Sequence, residues 1–292
     1  MDSLLIYRIA AILIIAFIYM IFDVFNKRNV PSIFAYASLI IGIIFTLSYY
    51  PDTHTMLIST GIAVVIASVG YVFYRAGQLG AADVIELAAI SLMLPIQPAP
   101  YLVSYTQFGL PFIISVFIAA GVIALVMIPF YYLPRARAML KKNLFRLITK
   151  GDMYKGFLLL AAYILFTGFM VYQLSVGIIG VTLMIIIMVS SMITAVFERP
   201  ITDSMIEYIP IEKFEDGDII ATNVMKKSEI NRIREKMKGF DRLVTQKTIA
   251  QMKKLKVKDK FPVYRQAMPL ALPIFLGVVV SILFGNLMIV II

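Results

Sequence analysis

Eight apolar segments, each near the length that crosses a bilayer, leave this 292-residue chain little choice of fold. They cover Leu4–Phe25, Ile33–Tyr50, Met56–Tyr74, Ala82–Ile96, Phe112–Tyr132, Lys155–Leu174, Ile178–Phe197 and Leu270–Ile292. A helix needs about 20 apolar residues to cross the hydrocarbon, where only helices and closed barrels satisfy their own backbone hydrogen bonds. Hydrophobic residues make up 61% of the chain and charged residues 15%, far from the balance of a soluble domain. The expected fold is an all-α polytopic membrane protein of about eight transmembrane helices, with a small cytosolic α+β insertion before the last helix.

The net charge of +10 follows from topology rather than from nucleic-acid binding. Lys27 and Arg28, Arg75, the stretch Arg135 to Lys155, Arg199 and every later cation fall in alternate loops. The intervening loops Pro51–Thr55, Gln97–Pro111 and Ser175–Gly177 hold no Lys or Arg. By this asymmetry 26 of the 27 Lys and Arg lie on the cytosolic side of a cell membrane, and both termini lie outside. Arg8 is the exception, expected to reach the headgroups from near a helix end. The first segment resembles a signal peptide in length, but no small-residue cleavage signal follows it, so it is read as a helix. With no cysteines, disulfides, thiolate chemistry and Cys-ligated metals are excluded. No metal and no cofactor are expected.

The chain divides into a membrane core (1–134, spans one to five), a basic amphipathic cytosolic loop (135–154), an additional transmembrane hairpin (155–197), a small soluble cytosolic region (198–266) and a C-terminal span (267–292). In the basic loop, Arg135, Arg137, Lys141, Lys142, Arg146 and Lys150 alternate with apolar residues, a pattern read first as a plain positive-inside loop and second as one suited to an anionic membrane surface. In the soluble region, Glu207–Ile211 and Asp218–Ala221 flank a turn-rich Phe214-Glu215-Asp216-Gly217 and predict a hairpin. Helices are predicted near Lys227–Lys238 and after Thr245, an N-cap for Ile249, Met252 and Leu255 at helical spacing.

Two acids adjoin the apolar core. Asp23 ends span one after an unbroken apolar run, and Asp83 begins span four within Gly80-Ala81-Ala82-Asp83. An intramembrane acid is costly and marks function by default, although each alone also reads as an interfacial acid or, for Asp83, a helix-start residue. The topology brings both to one membrane face. Two aspartates hydrolyse a peptide bond when one, ionised, activates water and the other, protonated, donates to the carbonyl oxygen; close together, they share the proton. Gly77 and Gly80 allow backbone or an extended substrate to come close.

At these residues the chain resembles the type IV prepilin peptidases, in particular the archaeal preflagellin (archaellin) peptidases, which are GxGD-type membrane aspartyl proteases. Gly80-Ala81-Ala82-Asp83 is similar to their Gly-x-x-Asp motif, and Asp23 to Pro31 resembles their first-aspartate motif, an Asp followed by a basic residue and a Val-Pro pair. Gly217-Asp218 and the span from Pro262 to Gly285 resemble elements of the archaeal C-terminal third. The resemblance implies Asp23 and Asp83 as the catalytic pair. It also implies an aspartic endopeptidase that removes the short basic leader from archaellin or type IV pilin-like precursors with class III signal peptides, at the cytosolic membrane face. Where relatives carry Lys two residues after the second Asp, this chain has Ile85 and then Glu86, which either contacts the leader's basic residue or faces a helical neighbour. The cysteine-rich loop of bacterial relatives is missing, so peptidase activity without N-methylation is expected. Pro269 and Pro273 bracket Leu270-Ala271-Leu272, which resembles the Pro-Ala-Leu element of presenilin-like proteases beside the catalytic site, or simply marks a helix start.

His54, the only histidine, is read as a surface residue, and Arg75 as a topology anchor or a charge near Asp83. Two readings from other classes stand beside the protease: a secondary transporter or channel using Asp23 and Asp83 as ion or proton sites, and a non-catalytic membrane scaffold. Expected partners are precursor proteins and membrane lipids, with no nucleic acid.

Overall fold

Helix α4 (Ala81–Met93) is apolar almost all round, and a helix of that kind has to be enclosed by others. In the computed structural model it is: Val84 and every residue from Glu86 to Met93 is buried. The structure describes residues 3–26, 30–48, 52–76, 79–102, 110–140, 144–174, 176–215, 217–237, 242–255, 260–264 and 268–287. Around α4 stand α1 (Ser3–Phe25), α2 (Ser32–Leu47), α3 (Thr53–Arg75) and α5 (Phe112–Leu140). The chain continues through α6 (Lys150–Leu174), α7 (Ile178–Val196) and the short α8 (Glu198–Ser204). A region with β1 (Ile206–Pro210), α9 (Lys227–Lys236), α10 (Gln246–Leu255) and β2 (Lys260–Tyr264) precedes α11 (Ala271–Phe284). A helix lies within each of the eight apolar segments, and α1, α3, α5, α6 and α7 are long and apolar enough to cross a membrane.

Helix α4 packs on α2 and α3 along its length, while α11 lies between α1 and α5. Close approach needs small residues at the crossings. A Cβ on Gly277 of α11 would lie 2.9 Å from both the Ala120 amide nitrogen and the Val116 carbonyl oxygen of α5. A Cβ on Gly70 of α3 would lie 2.5 Å from a Val84 methyl of α4.

Helix α4 ends at Met93 rather than Ile96, because Pro95 pushes Leu94 out of helical conformation (φ −139°, ψ 86°). Its last carbonyls are therefore buried without intrahelical partners, and side chains from three helices supply donors. Arg8 of α1 donates through Nη1 to the Met93 carbonyl at 2.9 Å and through Nη2 to the Phe45 carbonyl of α2 at 3.0 Å. Thr46 Oγ1 lies 2.9 Å and Ser59 Oγ 3.1 Å from the Leu92 carbonyl. Arg8 is thus 2% exposed and ties the ends of α2 and α4 together instead of reaching outward to headgroups. The segment after α4 caps α11 in the same manner: Gln97 Nε2 donates to the Ser281 carbonyl at 2.9 Å and the Leu102 amide to the Leu283 carbonyl at 2.8 Å. Helix α11 itself stops at Phe284, because Gly285 turns the chain with a positive φ of 76°; the last residues of the expected span, 288–292, lie outside the described residues.

The basic loop expected over 135–154 is largely helical. Residues up to Leu140 continue α5, since Arg, Ala, Met and Leu are good helix formers, a short 3-10 turn spans Leu144–Leu147, and α6 begins at Lys150. Its start is set by a capping box overlooked in the sequence: the Thr149 amide donates to Asp152 Oδ2 at 2.9 Å and the Asp152 amide to Thr149 Oγ1 at 3.3 Å. Helices α6 and α7 pair with each other, and α7 with α5.

The region between α8 and α11 has its own core, including Ile209, Phe214, Ile220, Met252, Phe261 and Val263. The hairpin expected there does not form. β1 pairs antiparallel with the distant β2, Tyr208 opposite Pro262, while Ile219 and Ile220 make only single bridges to Leu243 and Val263. Pro210 and the 3-10 turn Ile211–Lys213 carry the chain off the strand before it can fold back, and β2 delivers the buried Phe261 and Val263 to this core. Helices α9 and α10 lie where expected, and Thr245 Oγ1 accepts from the Thr248 amide at 3.3 Å, capping α10.

Candidate active site

Asp83 is the third residue of α4. Its carboxylate accepts a hydrogen bond from the Gly80 amide at 3.1 Å, the side-chain half of a capping box. Gly80 has ordinary extended backbone angles (φ −74°, ψ 149°), so no left-handed turn calls for glycine. What does is space: a Cβ there would lie 2.9 Å from Asp83 Oδ2. Gly80 therefore lets the backbone close on the acid. Ala81 is exposed, and Ala82, at the motif's second glycine, packs against the main core.

Asp23 lies in the last turn of α1 and is 8% exposed. Its Oδ2 accepts a hydrogen bond from the Ala271 amide at 2.9 Å. Ala271 is the first residue of α11, whose leading amides have no partner within the helix. The proline-bracketed segment is therefore joined to the site through its backbone, and Pro269 and Pro273 are both buried beside it. Each acid is held by a backbone amide at the start of a helix, where aligned peptide dipoles favour negative charge.

Asp23, Asp83 and Glu86 lie near enough for their charges to act on one another. Glu86, one turn along α4, is fully buried, and neither of its carboxyl oxygens has a hydrogen-bond partner among the described residues. Tyr19 completes the group. It lies one turn before Asp23, is fully buried, feels Glu86 and Asp83, and places its hydroxyl 3.0 Å from Ser38 Oγ of α2. The sequence reading passed over Tyr19, although its spacing of four from Asp23 puts both on one face of α1.

Beside the acids, α3, α4 and α5 enclose an apolar cleft of about 530 Å³. Val69, Gly70, Phe73 and Phe117 line it, together with Leu79 and Val84, which bracket the Gly80–Asp83 turn. The remaining sequence candidates stand apart. His54 is exposed in the first turn of α3, and Arg75 is exposed in its last. Gly77, Lys27, Arg28, Lys141 and Lys142 lie outside the described residues. Among the described residues, no three His, Cys, Asp or Glu side chains converge so as to hold a metal ion.

Comparison with protein-family models, curated proteins and solved structures found no match.

Proposed function

We propose that this chain is a membrane-embedded aspartyl endopeptidase that cuts pilin-like or archaellin-like precursors between a short basic leader and the apolar helix that follows. The observation that supports the reading is that Asp23 and Asp83 lie near enough for the charge of one to act on the other. They come from helices 60 positions apart, interact electrostatically, and are each oriented by a helix-start amide.

Two carboxyl groups sharing one proton perform hydrolysis without a cofactor. The ionised acid takes a proton from water as its oxygen attacks the peptide carbonyl carbon, and the protonated acid donates to the carbonyl oxygen. Collapse of the tetrahedral species breaks the C–N bond, a proton passes to the leaving amine, and the pair regains its starting state. The cleft bordered by Leu79 and Val84 suits the apolar segment of such a substrate. With the cation-rich loops in the cytosol, the inner ends of α1 and α4 hold the acids at the cytosolic face, and both termini lie outside.

The test is cleavage of a co-expressed pilin-like precursor, read as a gel shift, by the wild type, Asp23→Asn and Asp83→Asn. Cleavage by the wild type alone, with all three proteins inserted in the membrane, supports the dyad. Normal cleavage by either variant removes that aspartate from the chemistry and the protease reading with it. Cation flux through reconstituted protein that both variants abolish, without cleavage, would establish a transporter instead.

A further inference from the structure

The two-aspartate reaction leaves Glu86 without a role, yet its burial is costly. A buried polar group left without a partner costs about 1–3 kcal/mol, more when charged, and buried acids are nearly always paired. Asp23 and Asp83 each have an amide donor, whereas both Glu86 oxygens have none among the described residues. Among the described residues, the charges acting on Glu86 are those of the other two acids. Arg8, on the same helix as Asp23, is held by the Phe45 and Met93 carbonyls at the far end of α4. The α1–α4 seam thus gathers three carboxyl groups, and among the described residues Glu86 is the one with no hydrogen-bond partner at either oxygen.

A metal ion does not fit, because the acids do not converge as ligands. A cation on a flexible stem does. Glu86 lies about 4.5 Å along the helix axis from Asp83, just under one turn, which the extended side chain of a lysine or arginine spans. Helix α4 packs continuously on α2 and α3 but only sparsely on α1 and α5, and of these two loose seams the one with α1 carries the acids, so an incoming chain can part it beside Glu86.

We infer that Glu86 is the specificity residue of the site: it pairs with a basic side chain of the substrate's leader, inserted between α1 and α4, while Asp23 and Asp83 act on the neighbouring peptide bond. This rests on the peptidase reading and adds to it the residue that reads the leader's positive charge.

The test uses the full chain in membranes with three precursors whose leader's charged residues are all Lys, all Gln or all Glu, and reads initial cleavage rates. The wild type is expected to cut the Lys precursor at least about tenfold faster than the Gln precursor, and the Glu precursor slowest. In Glu86→Gln the difference between Lys and Gln shrinks to about twofold, with the loss falling on KM, and Glu86→Lys prefers the Glu precursor. Equal wild-type rates on all three precursors overturn the inference and leave the peptidase standing. So does a preference for Lys that survives unchanged in Glu86→Gln, or one common fall in all three rates, which marks a merely structural Glu86. If Glu86→Gln fails to accumulate, Glu86→Asp takes its place: a weakened preference supports the pairing, and an unchanged one overturns it. A wild type that cuts no precursor, with both proteins present, overturns the peptidase reading and this inference together.

Discussion

Asp23 and Ala271, 248 residues apart, are joined by a hydrogen bond of 2.9 Å from the Ala271 amide to the Asp23 carboxylate. The bond anchors the start of α11 to the end of α1, so Asp23 serves the fold as well as the proposed chemistry. Asp23→Asn keeps an oxygen acceptor, whereas Asp23→Ala leaves a buried amide unpaired at about 1–3 kcal/mol. Both variants should lose cleavage. Thermal unfolding in detergent should show Asp23→Asn near the wild type and Asp23→Ala clearly below it; equal midpoints would deny the anchor.

Gly80→Ala should separate activity from stability. The new Cβ would meet Asp83 Oδ2 at 2.9 Å and push the carboxylate off the Gly80 amide. Alanine fits the backbone angles there and lowers unfolded-state entropy, a gain of about 0.4–1 kcal/mol to set against the contact. The expected outcome is a fall in cleavage rate of about tenfold or more with little change in melting temperature, since misplacement by about 1 Å costs such factors.

Gly277→Ala should do the reverse. Its Cβ would press on the Ala120 nitrogen and Val116 oxygen, backbone atoms that yield only if α11 moves away from α5. Overpacking of this kind costs about 1–3 kcal/mol. The melting midpoint should fall, and cleavage should fall with it, because α11 carries the amide that holds Asp23.

Arg8→Leu should leave the buried Met93 carbonyl without this donor, at about 1–3 kcal/mol, while the Phe45 carbonyl keeps the Ser48 hydroxyl as a donor at 2.6 Å. Arg8→Lys should recover part of the loss, because an ammonium lacks the planar fork that reaches two helix ends. The check is again the unfolding midpoint. Arg8 sits at the opposite end of α1 from Asp23, so the cleavage rate per folded molecule should change little.

Much of the helical plan was legible because it rests on local physics. Runs of apolar residues long enough for a bilayer become helices whatever surrounds them, and α9 and α10 followed from spacing and from the Thr245 cap. Where the reading failed, a distant partner decided the outcome. Glu207–Ile211 has the alternation of a hairpin strand, but its partner is 260–264, whose Phe261 and Val263 complete the core beneath it. Arg8 looked like a headgroup anchor because nothing near it in sequence shows that two helix ends arrive there with carbonyls unpaired.

The same division runs through the candidate site. Composition and segment length by themselves determined a helical chain with apolar helices of membrane-crossing length, and the Gly80–Asp83 spacing already contained the local contact between amide and acid. Helical period alone put Glu86 on the same face as Asp83, and Tyr19 on that of Asp23. Only the tertiary structure decided that these faces meet, that Ala271 donates to Asp23, and that Glu86 is buried with no partner of its own. The reason is range. Backbone propensity and periodicity act over a few residues, whereas the burial and pairing of a charge depend on which helices pack together, and that is settled by side-chain fit across the whole bundle.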